Sequence, residues 1–211
     1  MSLRIALARG APFAPSLDLL AGAGVPVDAL REDSRHLVFP LDDGSTVLTV
    51  RPSDVPAYVE LGAADIGIAG KDLLLEQRRE LYELLDLGIA PCRLVYAAPR
   101  GGDRRRAERL GRLRVATKYP RVARDYFAQT GRQVQVVPLH GSVELAPQVG
   151  LADGIVDLVR SGATLRGNGL VEREEIARCS QRLIANRAAH KLRGDEIGEL
   201  CEKLRALVAT A

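Results

Sequence analysis

The sequence has no tryptophan, and aromatic residues fill only 4% of its 211 positions. Single-stranded nucleic acid is gripped by stacking on such rings, so a nucleic-acid partner is not expected. Cysteine is scarce too: Cys92, Cys179 and Cys201 form an odd, scattered set without metal-ligand spacing. That excludes a disulfide framework, argues against zinc and suits a reducing cytoplasm. His36, His140 and His190 are equally dispersed. No window approaches the ~18 uninterrupted apolar residues of a membrane span. The first ten residues are interrupted by Arg9 and read as a strand, not as a secretory signal. A Ser-His-Asp order, a Cys-His pair and the Walker and dinucleotide glycine patterns are all missing.

What is present is a globular composition, 46% apolar and 27% charged, in a chain long enough for two small lobes. The net charge of +3 and a pI near 8.9 favour anionic small molecules but fall short of a nucleic-acid footprint. The one basic run, Arg104-Arg105-Arg106, reads as the solvated first turns of a helix.

Alternation over residues 3–8 predicts a first strand, then a tight connection, Arg9-Gly10-Ala11-Pro12, and a short helix at 16–21 closed by Gly22 and Gly24. Leu37-Val38-Phe39 and residues 46–50 flank Asp42-Asp43-Gly44, a hairpin signal, and Arg51 follows. Ser53 is expected to cap a helix that passes through Val55, Tyr58 and Val59 and stops at Gly62. Residues 62–72 read as a short buried strand with close backbone approach at its glycines, Asp65 before it and Asp72 capping the next helix. Strands are expected at 92–98, at 114–117 leading into Lys118-Tyr119-Pro120, and at 133–138. Between the last two, a helix carries Val122, Tyr126 and Phe127 on one face and ends at Gly131. Two shorter β segments lie within 171–186, and residues 195–208 form an amphipathic closing helix. Strands alternating with helices imply an α/β protein with largely parallel sheets.

The chain is organised around residues 153–165. An apolar run of strand length, 155–159, ends in the turn Ser161-Gly162-Ala163-Thr164, where Thr164 can cap the following helix. Small residues let backbone come close to a ligand, and successive N–H groups at a strand-to-helix turn make an anion site, best suited to a phosphate. Asp157 is the odd residue inside the apolar run. A carboxylate near the end of a buried strand costs energy unless something pairs with it, and a sugar diol would supply two donors. A ribose 5-phosphate satisfies both features. An ordinary βα turn with an edge-exposed Asp fits this stretch equally well.

Other strand ends carry residues suited to ligands: Arg9 and Gly10, Arg51, Asp65, Lys118 and Tyr119, and Gly141-Ser142 with Glu144. Each has an ordinary structural use: Ser142 and Ser161 as caps, Lys118 as a solvated end, Glu144 as a partner of a helix dipole. Together they gather where open α/β sheets bind ligands, beyond the carboxyl ends of the strands. Backbone donors, cations and sugar-binding carboxylates suit phosphoribosyl transfer, which needs positioning and charge management more than a protein nucleophile. No catalytic nucleophile is expected.

The sequence resembles the short form of the ATP phosphoribosyltransferase family over essentially its full length. The resemblance rests on Arg51-Pro52-Ser53-Asp54-Val55-Pro56-Ala57-Tyr58, residues 62–72, Ala116-Thr117-Lys118-Tyr119-Pro120, and residues 139–147 and 150–170. It implies two lobes resembling type II periplasmic binding proteins, with the active site in the cleft between them. The first lobe would be residues 1–90 plus a last stretch from about 178, the second 91–177. The implied reaction opens histidine biosynthesis: adenine N1 of ATP attacks the anomeric carbon of phosphoribosyl pyrophosphate, giving 1-(5-phosphoribosyl)-ATP and pyrophosphate, with Mg2+ accompanying the pyrophosphate. Carried over residue by residue, the family's phosphoribosyl loop gives Asp157 the ribose hydroxyls and Ser161, Gly162, Ala163 and Thr164 the 5-phosphate. Arg9, Gly10, Arg51, Asp65, Asp72, Lys118, Tyr119, Gly141, Ser142 and Glu144 remain for ATP or pyrophosphate.

One departure stands out. The family's usual first loop reads Lys-Gly-Arg-Leu, whereas Ala11 here lacks the second cation. The resemblance also implies a homodimer of catalytic chains and a separate regulatory subunit similar to histidyl-tRNA synthetase, since the closing helix leaves no room for the histidine-binding domain of the longer form. The alternatives from the same fold and chemistry are a non-catalytic anion or amino-acid binding protein, and a phosphoribosyltransferase that accepts a free base.

Overall fold

The computed structural model describes residues 2–31, 36–101 and 113–210. The basic run at 104–106 lies outside them. Contacts divide the chain into two units, Met1–Ala90 with Ser180–Ala211, and Pro91–Cys179.

The first unit is a six-stranded sheet in the order β2-β3-β1-β4-β11-β5. Its strands are β1 (Arg4–Ala8), β2 (Val38–Pro40), β3 (Thr46–Val50), β4 (Ile66–Gly70), β5 (Leu81–Asp86) and β11 (Gln181–Asn186). The helices are α1 (Phe13–Gly22), α2 (Val55–Glu60), α3 (Lys71–Gln77), α6 (Arg187–Leu192) and α7 (Gly194–Ala209). Pleating sends Ile5 and Leu7 to one face of β1, into a cluster with Leu17 and Leu20 of α1 and Leu200 and Leu204 of α7. Ala6 and Ala8 face the other way, against Val55 and Val59 of α2. Gly67 makes that second contact possible, since a Cβ there would stand 2.8 Å from Cγ2 of Val59 and 3.0 Å from Cγ1 of Val55. The close approach read from the glycines of this strand is, at Gly67, helix packing.

The second unit is a five-stranded sheet, β10-β6-β9-β7-β8. It contains β6 (Cys92–Pro99), β7 (Leu113–Thr117), β8 (Val134–Pro138), β9 (Gly154–Val159) and β10 (Leu170–Cys179), with helices α4 (Pro120–Gln129) and α5 (Ala163–Gly167). Ile155 and Val159 of β9 share a cluster with Val95, Val143 and Leu165. On the other face Tyr96 meets Phe127 of α4 edge-on, ring centroids 5.2 Å apart.

Several local expectations are corrected. The sheets are mixed: β1 runs parallel to β3 and β4, and β7 to β8 and β9, but the pairs β2·β3, β4·β11, β5·β11, β6·β9 and β6·β10 are antiparallel. Connectivity explains two of these pairs. The chain passes from one unit to the other after Ala90 and returns after Cys179. Hence β5 leaves the first unit beside the entering β11, and β6 enters the second beside the leaving β10. The segments expected within 171–186 are therefore strands of different sheets, ten and six residues long. The same register sets Cys92 opposite Cys179, so these two cysteines are neighbours in space. Ser53 does not cap α2: it lies in a 3-10 turn, Pro52–Asp54, and its hydroxyl donates to Asp54 at 2.9 Å.

Candidate functional site

In the second unit the parallel strands β7 and β8 end together at the paired Thr117 and Pro138, and β9, paired with Thr117 at Val156, runs on to Val159. Thr117 ties the edge down. Its hydroxyl donates to the Val156 carbonyl at 2.6 Å and accepts the Tyr119 N–H at 2.8 Å, which fixes β9 one residue before Asp157. Lys118 is exposed and Tyr119 buried at the start of α4. Beyond β8, Gly141 and Ser142 are exposed, and Ser142 holds a left-handed φ of 48°, a conformation that costs a non-glycine residue about 1 kcal/mol. The helix expected after them is only a three-residue 3-10 turn, Val143–Leu145, which carries Glu144.

Asp157 occupies the face of β9 that Ile155 and Val159 bury, opposite Val95 of β6, and is itself half-buried. Past Val159 the chain turns through Arg160, Ser161 and Gly162 into α5. Gly162, at φ 73°, takes the N-cap position and makes no side-chain cap bond. Thr164 is therefore the second helical residue and not the cap. Because no cap side chain spans this turn, its leading N–H groups keep the lack of intrahelical acceptors common to every helix start. The nearest substitute is the Ser161 hydroxyl, a long 3.4 Å from the Ala163 N–H. A five-residue helix has little macrodipole, so any anion here would be held by local N–H groups. Residues 157–165 and Glu144 line one pocket of about 300 Å³. Asp157, Ser161, Gly162, Ala163, Thr164 and Glu144 thus come together as a set.

In the first unit, Ala8 and Val50 end β1 and β3 in register, so Arg9 and Arg51 leave neighbouring strands side by side. Arg9 lies over Phe13 and Phe39, its guanidinium carbon 5.1 and 5.9 Å from the ring centroids, and it donates to the His36 carbonyl at 3.3 Å. Gly10, at φ 108°, turns the chain towards α1, and Arg51 is exposed. Asp72 follows β4 within the first turn of α3, buried, while Gly70 holds the N-cap position that the sequence reading gave to Asp72. The Asp72 carboxylate curls back so far that a Cβ on Gly70 would stand 2.2 Å from Oδ1.

Asp65 does not join this group. It precedes β4, at the amino ends of the parallel strands, and is 3% exposed. Its carboxylate accepts the Arg4 N–H at 2.8 Å and the Arg4 guanidinium at 3.0 Å, with Arg193 3.6 Å away. It forms a structural ion pair at the opposite end of the parallel strands from Arg9 and Arg51.

Two arginines that sequence reasoning left without a role stand at this turn, one in the pocket lining and one behind it. Arg160 lines it, and Arg166 donates to the Ser161 carbonyl at 3.1 Å. The signal was available: basic residues stand on both sides of the small-residue turn. Among the described residues no cluster of three or more His, Cys, Asp or Glu could hold a metal ion, and no helix is long and apolar enough to cross a membrane.

The periplasmic aliphatic sulphonate binding protein SsuA from Escherichia coli superposes on 98% of this chain and 72% of its own, with a TM-score of 0.61 and 14% identity. That likeness shows the fold alone and defines the class: an α/β protein of two lobes resembling type II periplasmic binding proteins. The ATP phosphoribosyltransferase family model matches residues 51–206. An ATP phosphoribosyltransferase of Desulfitobacterium hafniense is 47% identical over 217 residues, covering 99% of this chain and 97% of that protein. A chain of the ATP phosphoribosyl transferase (HisG:HisZ) complex from Thermotoga maritima superposes with a TM-score of 0.81 at 31% identity, covering 99% of this chain and 100% of that one. The chain belongs to the ATP phosphoribosyltransferase family, as a short-form member whose relatives open histidine biosynthesis.

Proposed function

We propose that the pocket at the end of β9 binds the ribose 5-phosphate half of phosphoribosyl pyrophosphate while adenine N1 of ATP attacks its anomeric carbon. The carrying observation is the pocket itself, in which a half-buried strand-end carboxylate, Asp157, adjoins a small-residue helix start with N–H groups lacking intrahelical acceptors. Gly162, Ala163 and Thr164 hold the 5-phosphate through the main chain, and Ser161 adds its hydroxyl. Asp157 accepts from the ribose hydroxyls. As the carbon–oxygen bond to pyrophosphate breaks and the carbon–nitrogen bond forms, positive charge develops on the sugar, and a fixed carboxylate beside it lowers that barrier. The electron pair leaves with pyrophosphate, so no protein nucleophile is required.

Lys118, Tyr119, Gly141, Ser142 and Glu144 edge the same strand ends and serve ATP or the departing pyrophosphate. Arg9, Gly10, Arg51 and Asp72 do the same from the first unit. Asp65, engaged by Arg4, is removed from the set. The two pocket carboxylates, Asp157 and Glu144, fit a cation that arrives already bound to substrate phosphates, the usual situation of Mg2+. When bound, Mg2+ neutralises the leaving pyrophosphate.

The chain works in a hetero-oligomer with a histidyl-tRNA-synthetase-like regulatory subunit and a second catalytic chain. Support comes from the Thermotoga maritima relative, which was solved as a HisG:HisZ complex. A scarce, odd set of three cysteines suits the cytoplasm. Pyrophosphate release from ATP and phosphoribosyl pyrophosphate, with and without the partner, tests the reading. Release that needs both substrates supports it, and none under any combination refutes it.

A further inference from the structure

We infer that Arg166 is the positioning residue of the phosphate turn: it holds the two carbonyls that decide where the N–H groups of the turn point. Its own N–H donates to the Gly162 carbonyl at 3.1 Å, and its guanidinium Nη1 donates to the Ser161 carbonyl, also at 3.1 Å. Both consecutive carbonyl oxygens of the turn are thus occupied by one residue. In a trans peptide the C=O and the following N–H point in opposite directions. Fixing the Ser161 and Gly162 carbonyls on Arg166 therefore turns the N–H groups of Gly162 and Ala163 away from it. The Ala163 N–H meets the Ser161 hydroxyl there, and residues 160–165, without Arg166, line the pocket. A carbonyl oxygen turned into the pocket would repel a phosphate, so the guanidinium removes an obstacle as well as aiming the donors.

Gly162 supplies the room. A Cβ on it would lie 3.0 Å from Nη1 of Arg166, so the guanidinium crosses the bare Cα of this residue. The absence of a side chain at 162 then has two uses, the left-handed turn and the path of the arginine. Arg166 itself touches no substrate in this arrangement and acts through the peptide planes.

This inference rests on the assignment of residues 161–164 to the 5-phosphate, and the experiment separates the two. Arg166→Ala, Arg166→Lys and Thr164→Glu are compared by steady-state kinetics in the complex with the regulatory subunit, each checked by thermal unfolding. Loss of a charge-assisted hydrogen bond predicts a KM for phosphoribosyl pyrophosphate about tenfold higher in Arg166→Ala, with kcat changed less than about twofold. Lysine keeps a cationic donor and restores most of the affinity. Thr164→Glu sets a carboxylate against the phosphate and raises KM whatever Arg166 does. If Arg166→Ala matches wild type while Thr164→Glu raises KM, the turn binds phosphate but Arg166 does not position it. If both leave KM unchanged, the assignment of the turn fails and takes this inference with it. A fall in unfolding temperature and kcat with unchanged KM, or an Arg166→Lys protein as impaired as Arg166→Ala, reduces Arg166 to a general structural role and overturns the inference.

Discussion

Gly154 lies so close to Tyr96 that a Cβ on the glycine would stand 2.6 Å from Cε2 of the ring and 2.8 Å from its hydroxyl oxygen. The strand that delivers Asp157 and the phosphate turn is therefore anchored at its first residue by an aromatic ring on the neighbouring β6. Gly154→Ala must push the ring or bend the strand. Overpacking of this kind costs about 1–3 kcal/mol, and each kcal/mol lowers the unfolding temperature of a chain this size by roughly 2–4 °C. Differential scanning calorimetry checks it, and an unchanged unfolding temperature would show that the ring moves freely.

Asp157→Asn separates catalysis from folding. Removing the charge while keeping the shape lowers kcat by a factor on the order of 10², the scale of a lost electrostatic stabiliser in an active site. The unfolding temperature stays near that of wild type. Equal kcat in the two proteins at saturating substrates removes Asp157 from the mechanism.

Acid should weaken the first unit at a defined place. Burial alone would raise the Asp86 carboxyl, but the Ser180 hydroxyl at 2.5 Å, the Gly88 N–H at 2.9 Å and the Arg182 guanidinium at 2.6 Å outweigh it and hold it below its ordinary value. Glu60 is lowered by the Glu80 N–H at 2.8 Å and then by Arg79 at 2.6 Å. Carboxyls depressed in the folded state contribute stability that is present above their unfolded values and lost as the pH falls through the folded ones. Unfolding temperature should drop as pH is lowered from about 5 to below about 4. Ser180→Ala removes one of the bonds holding Asp86 down and makes that drop shallower. A slope identical to wild type would mean that Asp86 does not report the transition.

The proposed regulatory subunit makes a further prediction. Such a partner subunit would bias conformations of this chain, and feedback by histidine would be a coupling free energy between chains. The purified chain alone shows little activity and no inhibition by histidine, and both appear on adding the partner. Full, histidine-sensitive activity from the isolated chain contradicts this.

Much of this architecture was legible because each strand–turn–helix unit carries its own local pattern. The apolar run before Ser161, the Asp42-Asp43-Gly44 hairpin and the helix bearing Val122 and Phe127 all declare themselves by period and punctuation. Strand β5 was missed because Leu81–Asp86 buries none of its side chains fully, and its place is set by pairing with β11, about a hundred residues later. The same long-range pairing hid the neighbourhood of Cys92 and Cys179 and made the sheets mixed. Caps were misplaced for a different reason. At α3 and α5 a glycine backbone takes the cap position, so Asp72 and Thr164, good cap residues by type, fall inside the first turn. Asp65 looked like a ligand carboxylate by residue type, although its place before the strand already put it at the amino end, where the structure pairs it with Arg4.

The most direct test of the account is calorimetric titration of phosphoribosyl pyrophosphate into wild type and Gly162→Val. A side chain at φ 73° strains the turn, meets the Arg166 guanidinium and crowds the N–H groups assigned to the 5-phosphate. Losing even one charge-assisted hydrogen bond weakens binding at least about tenfold. The account predicts that loss in a variant shown to be folded by circular dichroism; a folded Gly162→Val protein that binds as tightly as wild type would contradict it.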